Sequence, residues 1–187
     1  MATSLELRRG MAINHKGDLA VVLDTQHRTP GNLRAFVQAH LRSIKTGKSF
    51  EVRFSTSEKI EIIPMFTKKM EYSYRDGDDF VFSDPDTFET VHINTEIVGD
   101  SVNYLVENEA VTVTLVEDRA VLIELPASVK LKVANAPEGV KGDSATNVQK
   151  AVTMETGVTI QVPLFIKTGE VIKVDTRTGK YMERVNG

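Results

Sequence analysis

The chain has 187 residues, with 23 Lys and Arg against 26 Asp and Glu and an apolar fraction of 41%, the composition of a folded domain or set of domains. It contains no cysteine, which excludes a disulfide framework, thiolate catalysis and cysteine-ligated zinc or iron–sulfur centres. No apolar run approaches the roughly 20 residues of a membrane span, and Glu6, Arg8 and Arg9 stand where a secretory leader needs an apolar core, so a cytoplasmic protein is expected.

The chain reads as strand after strand. In order, DLAVVLDTQ (18–26), RAFVQAHLRSI (34–44), KSFEVRFS (48–55), KIEIIPM (59–65), MEYSYRDG (70–77), DDFVFSD (78–84), AVTVTLVEDRAVLIELP (110–126), VKLKVANA (129–136), GVTIQVPLFI (157–166) and EVIKVDT (170–176) are rich in Val, Ile, Phe, Tyr and Thr. Many alternate apolar and polar residues, the period of a half-buried strand. Turn signals separate them, among them His15-Lys16-Gly17-Asp18, Pro30-Gly31-Asn32, Lys45-Thr46-Gly47 and Arg75-Asp76-Gly77. Short, regularly spaced strands predict barrels or sandwiches. One stretch has near-helical spacing, at Ile97, Val98, Val102, Leu105 and Val106. It predicts about two turns of helix from Gly99 or Asp100 to Glu107, capped by Asp100 or Ser101. Pro64 and Pro126 each follow a strand-like run and divide the chain into three parts, 1–64, 65–126 and 127–187.

Charge is distributed unevenly over these parts. Residues 25–50 carry Arg28, Arg34, Arg42, Lys45 and Lys48 and no acid, whereas residues 71–124 carry 14 acids against Arg75 and Arg119. Residues 125–187 are mildly basic, with 9 Lys and Arg against 6 acids. The basic segments can approach phosphates and the acidic middle is repelled by them. For each side chain taken singly, a solvated face is the alternative.

Enzymatic constellations are missing from the sequence. KTGKS (45–49) ends like a phosphate-binding loop, but Arg42 stands where the first Gly belongs and a strand follows. DGDDFVFSDPD (76–86) lacks the oxygen spacing of a calcium loop. His15, His27, His40 and His92 show no metal-ligand spacing. His27 and His40 are expected to approach one another near the base of the Pro30 hairpin. Binding, rather than catalysis, remains. An aromatic content of 6% argues against base stacking as the main force and for contact with structured RNA through phosphate and shape.

The C-terminal run GVTIQVPLFIKTGEVIKVDTRTGKYMERV (157–185) closely resembles the end of the bacterial elongation factor P family. Gly157, Ile160, Val162, Pro163, Ile166 and Gly169 fit its signature, as does Lys150, while Val152 replaces an Ala. APEGVKGDSA (136–145), SYRDGDDFVFSDPDTFE (73–89) and LRSIKTGKSFEVRF (41–54) resemble other segments of the family, so the likeness spans essentially the whole chain. It implies an all-β protein of three small barrels in an L shape: an SH3-like (KOW-like) barrel over 1–64, an acidic OB-type barrel with one short helix over 65–126, and a second OB-type barrel over 127–187.

The resemblance also implies a function. Such proteins bind the ribosome between the P and E sites beside peptidyl-tRNA and promote peptide-bond formation at consecutive prolines. They need no cofactor or metal, are not enzymes, and have no membrane partner; a monomer is expected. The family's first-domain hairpin reaches the acceptor end of the tRNA at the peptidyl-transferase centre. The corresponding tip here is Pro30, Gly31, Asn32, Leu33 and Arg34. The family usually places a modified Lys or Arg where this chain has Asn32, and a Gly where it has Leu33. Asn has neither an amine to lysylate nor a guanidinium to rhamnosylate. Either Asn32 acts unmodified, with Leu33 stiffening the loop and Arg34 supplying charge, or the chain is an elongation factor P-like paralogue with a different or weaker role. A general RNA-binding β-barrel protein is the further alternative. Tyr181 and Arg184 match family residues that contact the tRNA anticodon stem, and Gly142, Asp143 and Ser144 match the loop at the E-site mRNA codon. Arg28, Arg42, Lys45 and Lys48 are candidate tRNA or rRNA contacts on charge alone.

Overall fold

The computed structural model describes residues 1–31, 34–138 and 148–185. The strands run, in chain order, β1 (Ala2–Thr3), β2 (Ala12–His15), β3 (Asp18–Arg28), β4 (Phe36–Ser43), β5 (Ser49–Ser55), β6 (Lys59–Ile63), β7 (Phe66–Asp76), β8 (Asp79–Ser83), β9 (Thr90–Asn94), β10 (Ala110–Val116), β11 (Arg119–Glu124), β12 (Ser128–Asn135), β13 (Gln149–Met154), β14 (Thr159–Pro163), β15 (Val171–Asp175) and β16 (Tyr181–Val185). They form three sheets, ordered β1-β6-β2-β3-β4-β5, β11-β10-β7-β8-β9 and β14-β13-β12-β15-β16. The protein is thus mostly β, with three β-sheet domains. Pro64 directly follows β6, and Pro126 lies between β11 and β12, outside any ladder that would need its missing N–H.

Tight turns hold the hairpins. His15 pairs with Asp18, and the two residues between them, Lys16 and Gly17, have φ of 53° and 85°. This is the twist-matched two-residue connection of antiparallel strands. The same left-handed pair occurs between β10 and β11 without a glycine, at Glu117 (φ 47°) and Asp118 (φ 63°).

The helical segment differs from the sequence expectation. The α-helix α1 spans Thr95–Val98, and Asn94 caps it by accepting a hydrogen bond from the Glu96 N–H. Gly99, at φ 52°, breaks it, and 3-10 turns continue over Gly99–Tyr104. Asp100 and Ser101 are therefore not caps. An amide oxygen one strand-end earlier satisfies the first free N–H.

By packing, the chain divides into two compact units, Met1–Lys68 with Val113–Leu122, and Lys69–Thr112 with Ile123–Gly187. In the first unit, β3 is buried on both faces. Ala20 and Val22 join Leu7, Ile13, Val37, Ala39, Leu41, Phe54 and Ile60 in one core. Val21, on the other face, joins Ala12, Val116 and Val121 in a second. The unbroken apolar run at 19–23 is the sequence correlate of this double burial. The third sheet closes over its own core, which includes Leu131, Val133, Met154, Ile166 and Ile172.

Candidate functional site

The site is built on β3 and β4, which pair from Ala20–Ser43 to Arg28–Phe36. Their register shifts once: Val22 faces Leu41, but Asp24 faces His40. Leu23 is the extra residue of a β-bulge, a feature that re-aims the side chains beyond it. In an unbroken strand Asp24, Gln26 and Arg28 would share the inner face of Ala20 and Val22. The bulge turns all three to the outer face.

On that outer face the three strands β3, β4 and β5 line up in rows, because directly paired residues point the same way. The registers give Asp24, His40 and Glu51, then Gln26, Gln38 and Arg53, then Arg28, Phe36 and Ser55. Carboxylates mark the end near the barrel and guanidinium groups the end near the tip. Arg28 Nη2 donates to Gln26 Oε1 at 2.8 Å, and Gln38 Nε2 donates to Glu51 Oε2 at 2.8 Å. The Arg53 guanidinium lies 5.3 Å from the centre of the Phe36 ring, within cation–π range. A cleft of about 280 Å³ is lined by Asp24, Gln26, Arg28, Gln38, His40 and Glu51. From Gln26 to Thr29 every residue is exposed, while Val37, opposite His27, still belongs to the core, so only the last pair of the hairpin, Arg28 with Phe36, lies beyond it. Of the tip, Gly31 and Arg34 are exposed and Pro30 is half-buried. Asn32 and Leu33 lie outside the described residues.

The other cations expected around the hairpin do not gather there. Lys45 and Lys48 are exposed in the turn between β4 and β5, at the far end of β4 and about 25 Å from Phe36 by strand rise. That turn is closed by Ser43 N–H donating to the Lys48 carbonyl and Gly47 N–H to the Ser43 carbonyl. Strand β5 follows it, so the phosphate-loop reading of KTGKS fails on geometry as well as on spacing. Arg42 is half-buried and donates from Nη2 to the Val121 carbonyl at 2.7 Å. His27 and His40 do not approach on one surface: His27 pairs with Val37 and His40 with Asp24, on opposite faces. Arg53 and Phe36 went unnoticed in the sequence because Arg53 lies just beyond the acid-free stretch. The alternation of SFEVRFS is the signal that places it on an outer face.

In the third sheet a second bulge matters. Tyr181 pairs with Val174 and Arg184 with Ile172, the register shifting between Lys173 and Val174. Three residues apart in a regular strand, Tyr181 and Arg184 would face opposite ways; with Met182 as the extra residue, they share a side. Tyr181 packs against the third-sheet core and lines a groove of about 430 Å³ with Gln149, Thr159, Gln161 and Lys180. Arg184 pairs with Glu170 at 3.3 Å and lies 5.7 Å from the Phe165 ring centre. The preceding turn is set by Asp175, whose Oδ1 accepts from the N–H groups of Arg177 (2.8 Å) and Thr178 (2.9 Å). Those two donors hold the Asp175 carboxyl below its usual value. Gly142, Asp143 and Ser144 lie outside the described residues. Among the described residues no cluster of His, Asp and Glu has metal-binding geometry.

Comparison with known proteins covers all three sheets. Residues 3–60 match the elongation factor P (EF-P) KOW-like domain, residues 66–123 the elongation factor P (EF-P) OB domain, and residues 129–184 the elongation factor P C-terminal domain. The elongation factor P of Chloroflexus aggregans is 46% identical over 98% of this chain and 98% of its own. That of Acidothermus cellulolyticus is 44% identical over the whole of both chains, and that of Acidobacterium capsulatum 45% identical over 96% of each. With three family domains in sequence and relatives alike along their full length, the chain belongs to the elongation factor P family of translation elongation factors.

Proposed function

We propose that this protein binds the ribosome between the P and E sites, beside peptidyl-tRNA, and promotes peptide-bond formation where consecutive prolines stall it. The observation that carries this reading is the β3–β4 hairpin. Its end carries Arg28 and Arg34, Arg53 stands beside it on β5, and no acid occupies the two rows nearest the tip. Such an end approaches the phosphates of an acceptor stem, and the carboxylate row stays behind at the barrel.

No proton-transfer group is required of the protein. Peptidyl transfer is ribosomal chemistry, and a bound factor accelerates it by holding the reactants in line, a positional and entropic effect. Proline slows the step because its ring fixes φ and constrains the attacking amine. In this reading the tip, Pro30 to Arg34, steadies the tRNA acceptor end with Asn32 unmodified. Arg28 and Arg53 take phosphates, and Tyr181 with Arg184 contacts the tRNA lower down. The Gly142-Asp143-Ser144 loop meets the E-site codon. Lys45 and Lys48 serve rRNA away from the tip, and Arg42 chiefly ties the first sheet to the β10–β11 hairpin. The protein works in the cytoplasm, as a monomer and without a cofactor.

The test is binding to purified 70S ribosomes with and without initiator tRNA in the P site, against free ribosomal RNA. Tighter binding to the tRNA-filled ribosome is expected, with Arg28→Ala weakening it and flattening its salt dependence by about one charge. Equal affinity for empty ribosomes and free RNA would leave only general RNA binding.

A further inference from the structure

The loop between β8 and β9, Asp84 to Glu89, presents an aromatic side chain that the fold does not use. Phe88 is 81% exposed and has φ of 60°. A bulky residue in the left-handed region is an outlier, because its Cβ crowds the backbone. Such strain persists only where the surroundings over-determine it, and it points to function.

Here the surroundings do over-determine it. Asp84 is buried, at 5% exposure. Its Oδ1 accepts from the N–H groups of Asp86 (2.8 Å) and Thr87 (3.2 Å). Its carbonyl accepts from Phe88 N–H, and its own N–H donates to the Glu89 carbonyl, both at 2.9 Å. Glu89 N–H donates to Thr87 Oγ1 at 3.4 Å, and Pro85 has no N–H to satisfy. Every backbone donor of the loop is therefore bonded within it. The ring is held outward by a rigid frame, so docking it elsewhere orders little that is not already ordered.

Charge selects the kind of partner. The exposed Asp86 and Glu89 flank the ring. The surrounding segment, Lys69–Thr112, holds 11 carboxylates against Lys69 and Arg75. Single-strand binders set their stacking aromatics in a basic groove. An acid-flanked ring is repelled by a phosphate backbone and suits a Lys- and Arg-rich protein surface with an apolar recess. We propose that Phe88 is the anchor of a protein–protein contact, in which a basic ribosomal protein receives the ring and pairs with Asp86. This rests on ribosome binding as proposed above.

The experiment replaces Phe88 with the photo-crosslinking residue p-benzoylphenylalanine and irradiates the full-length protein on purified 70S ribosomes carrying P-site tRNA. The expected product is a crosslink to a Lys- and Arg-rich peptide of one ribosomal protein. In parallel, Phe88→Ala should lower ribosome affinity about tenfold. Phe88→Gly, which relieves the left-handed strain, should bind as weakly while melting no lower than the parent. Crosslinks only to ribosomal RNA would overturn the protein partner in favour of base stacking. Undiminished binding by Phe88→Ala, or binding without any crosslink, would overturn the anchor itself. Failure of the unsubstituted protein to bind ribosomes at all would contradict the ribosome reading, and this inference with it.

Discussion

Single residues in this chain act mostly by fixing backbone, and Asp175 is a case whose consequence is open to measurement. Its carboxylate accepts two backbone N–H groups in the turn before β16, and these lower its pKa from the ordinary 3.8. A lowered folded-state pKa stabilises the fold fully above the ordinary value and is lost as pH falls through the lowered one. Asp175→Asn keeps an acceptor oxygen but has no charge to titrate. The stability gap between the parent and Asp175→Asn is thus expected to stay constant near neutrality and to narrow below 3.8, as read by urea midpoints across that range. Arg184 illustrates what residue type alone conveys. Its charge was visible in the sequence, but the Glu170 carboxylate and the Phe165 ring beside it come from the connection between β14 and β15.

At the scale of elements, alternation made most strands legible, and bulges were what it concealed. The run DLAVVLDTQ predicts β3 but carries no mark of the extra residue at Leu23, since an unbroken apolar stretch has no parity to lose. Yet that residue shifts the parity from which the face of Arg28 is read. Deleting Leu23 would make the ladder regular, with Asp24 following Val22 directly and still opposite His40. Arg28 should therefore keep its face, and a loss of about 1–2 kcal/mol is expected from removing the half-buried leucine, measurable by urea denaturation. The bulge at Met182 acts likewise on Tyr181 and Arg184. Five strands, β1, β2, β9, β13 and β16, escaped the reading because they are short or polar and were masked by neighbouring turns. The helical segment was found, but its start was set by Asn94 rather than by the acid and serine that follow Gly99. The tip of the β3–β4 hairpin was legible in another way: Pro30 and Gly31 announce a turn, whereas its purpose came only from family resemblance.

For the whole molecule, three sheets do not mean three independent cores. Val116 and Val121 of the β10–β11 hairpin complete a cluster with Ala12 and Val21, and Arg42 bonds the Val121 carbonyl. The first sheet alone therefore leaves an apolar face open. A fragment of residues 1–64 is expected to melt below the same sheet within residues 1–126, re-exposure of Val21 alone forfeiting about 1.5 kcal/mol. A fragment of equal stability would show that the second cluster contributes nothing. The prolines at 64 and 126 signalled where sheets change, but sequence has no marker for a hairpin of one sheet that completes the core of another. The distribution of charge along the chain, basic in the hairpin segment and acidic in the middle third, is legible in the sequence and supports the proposed RNA contact of the hairpin and the proposed protein contact at Phe88.

In the proposed function the hairpin tip works with an asparagine and a neighbouring arginine in place of a lengthened cation. It is tested most directly by translating a triple-proline reporter in a reconstituted system, with the protein purified free of modifying enzymes. The unmodified protein is expected to relieve the stall, Arg34→Ala to lose about tenfold of the acceleration, worth some 1.4 kcal/mol, and Asn32→Ala to lose less. A protein that binds the stalled ribosome and leaves the stall in place would contradict it.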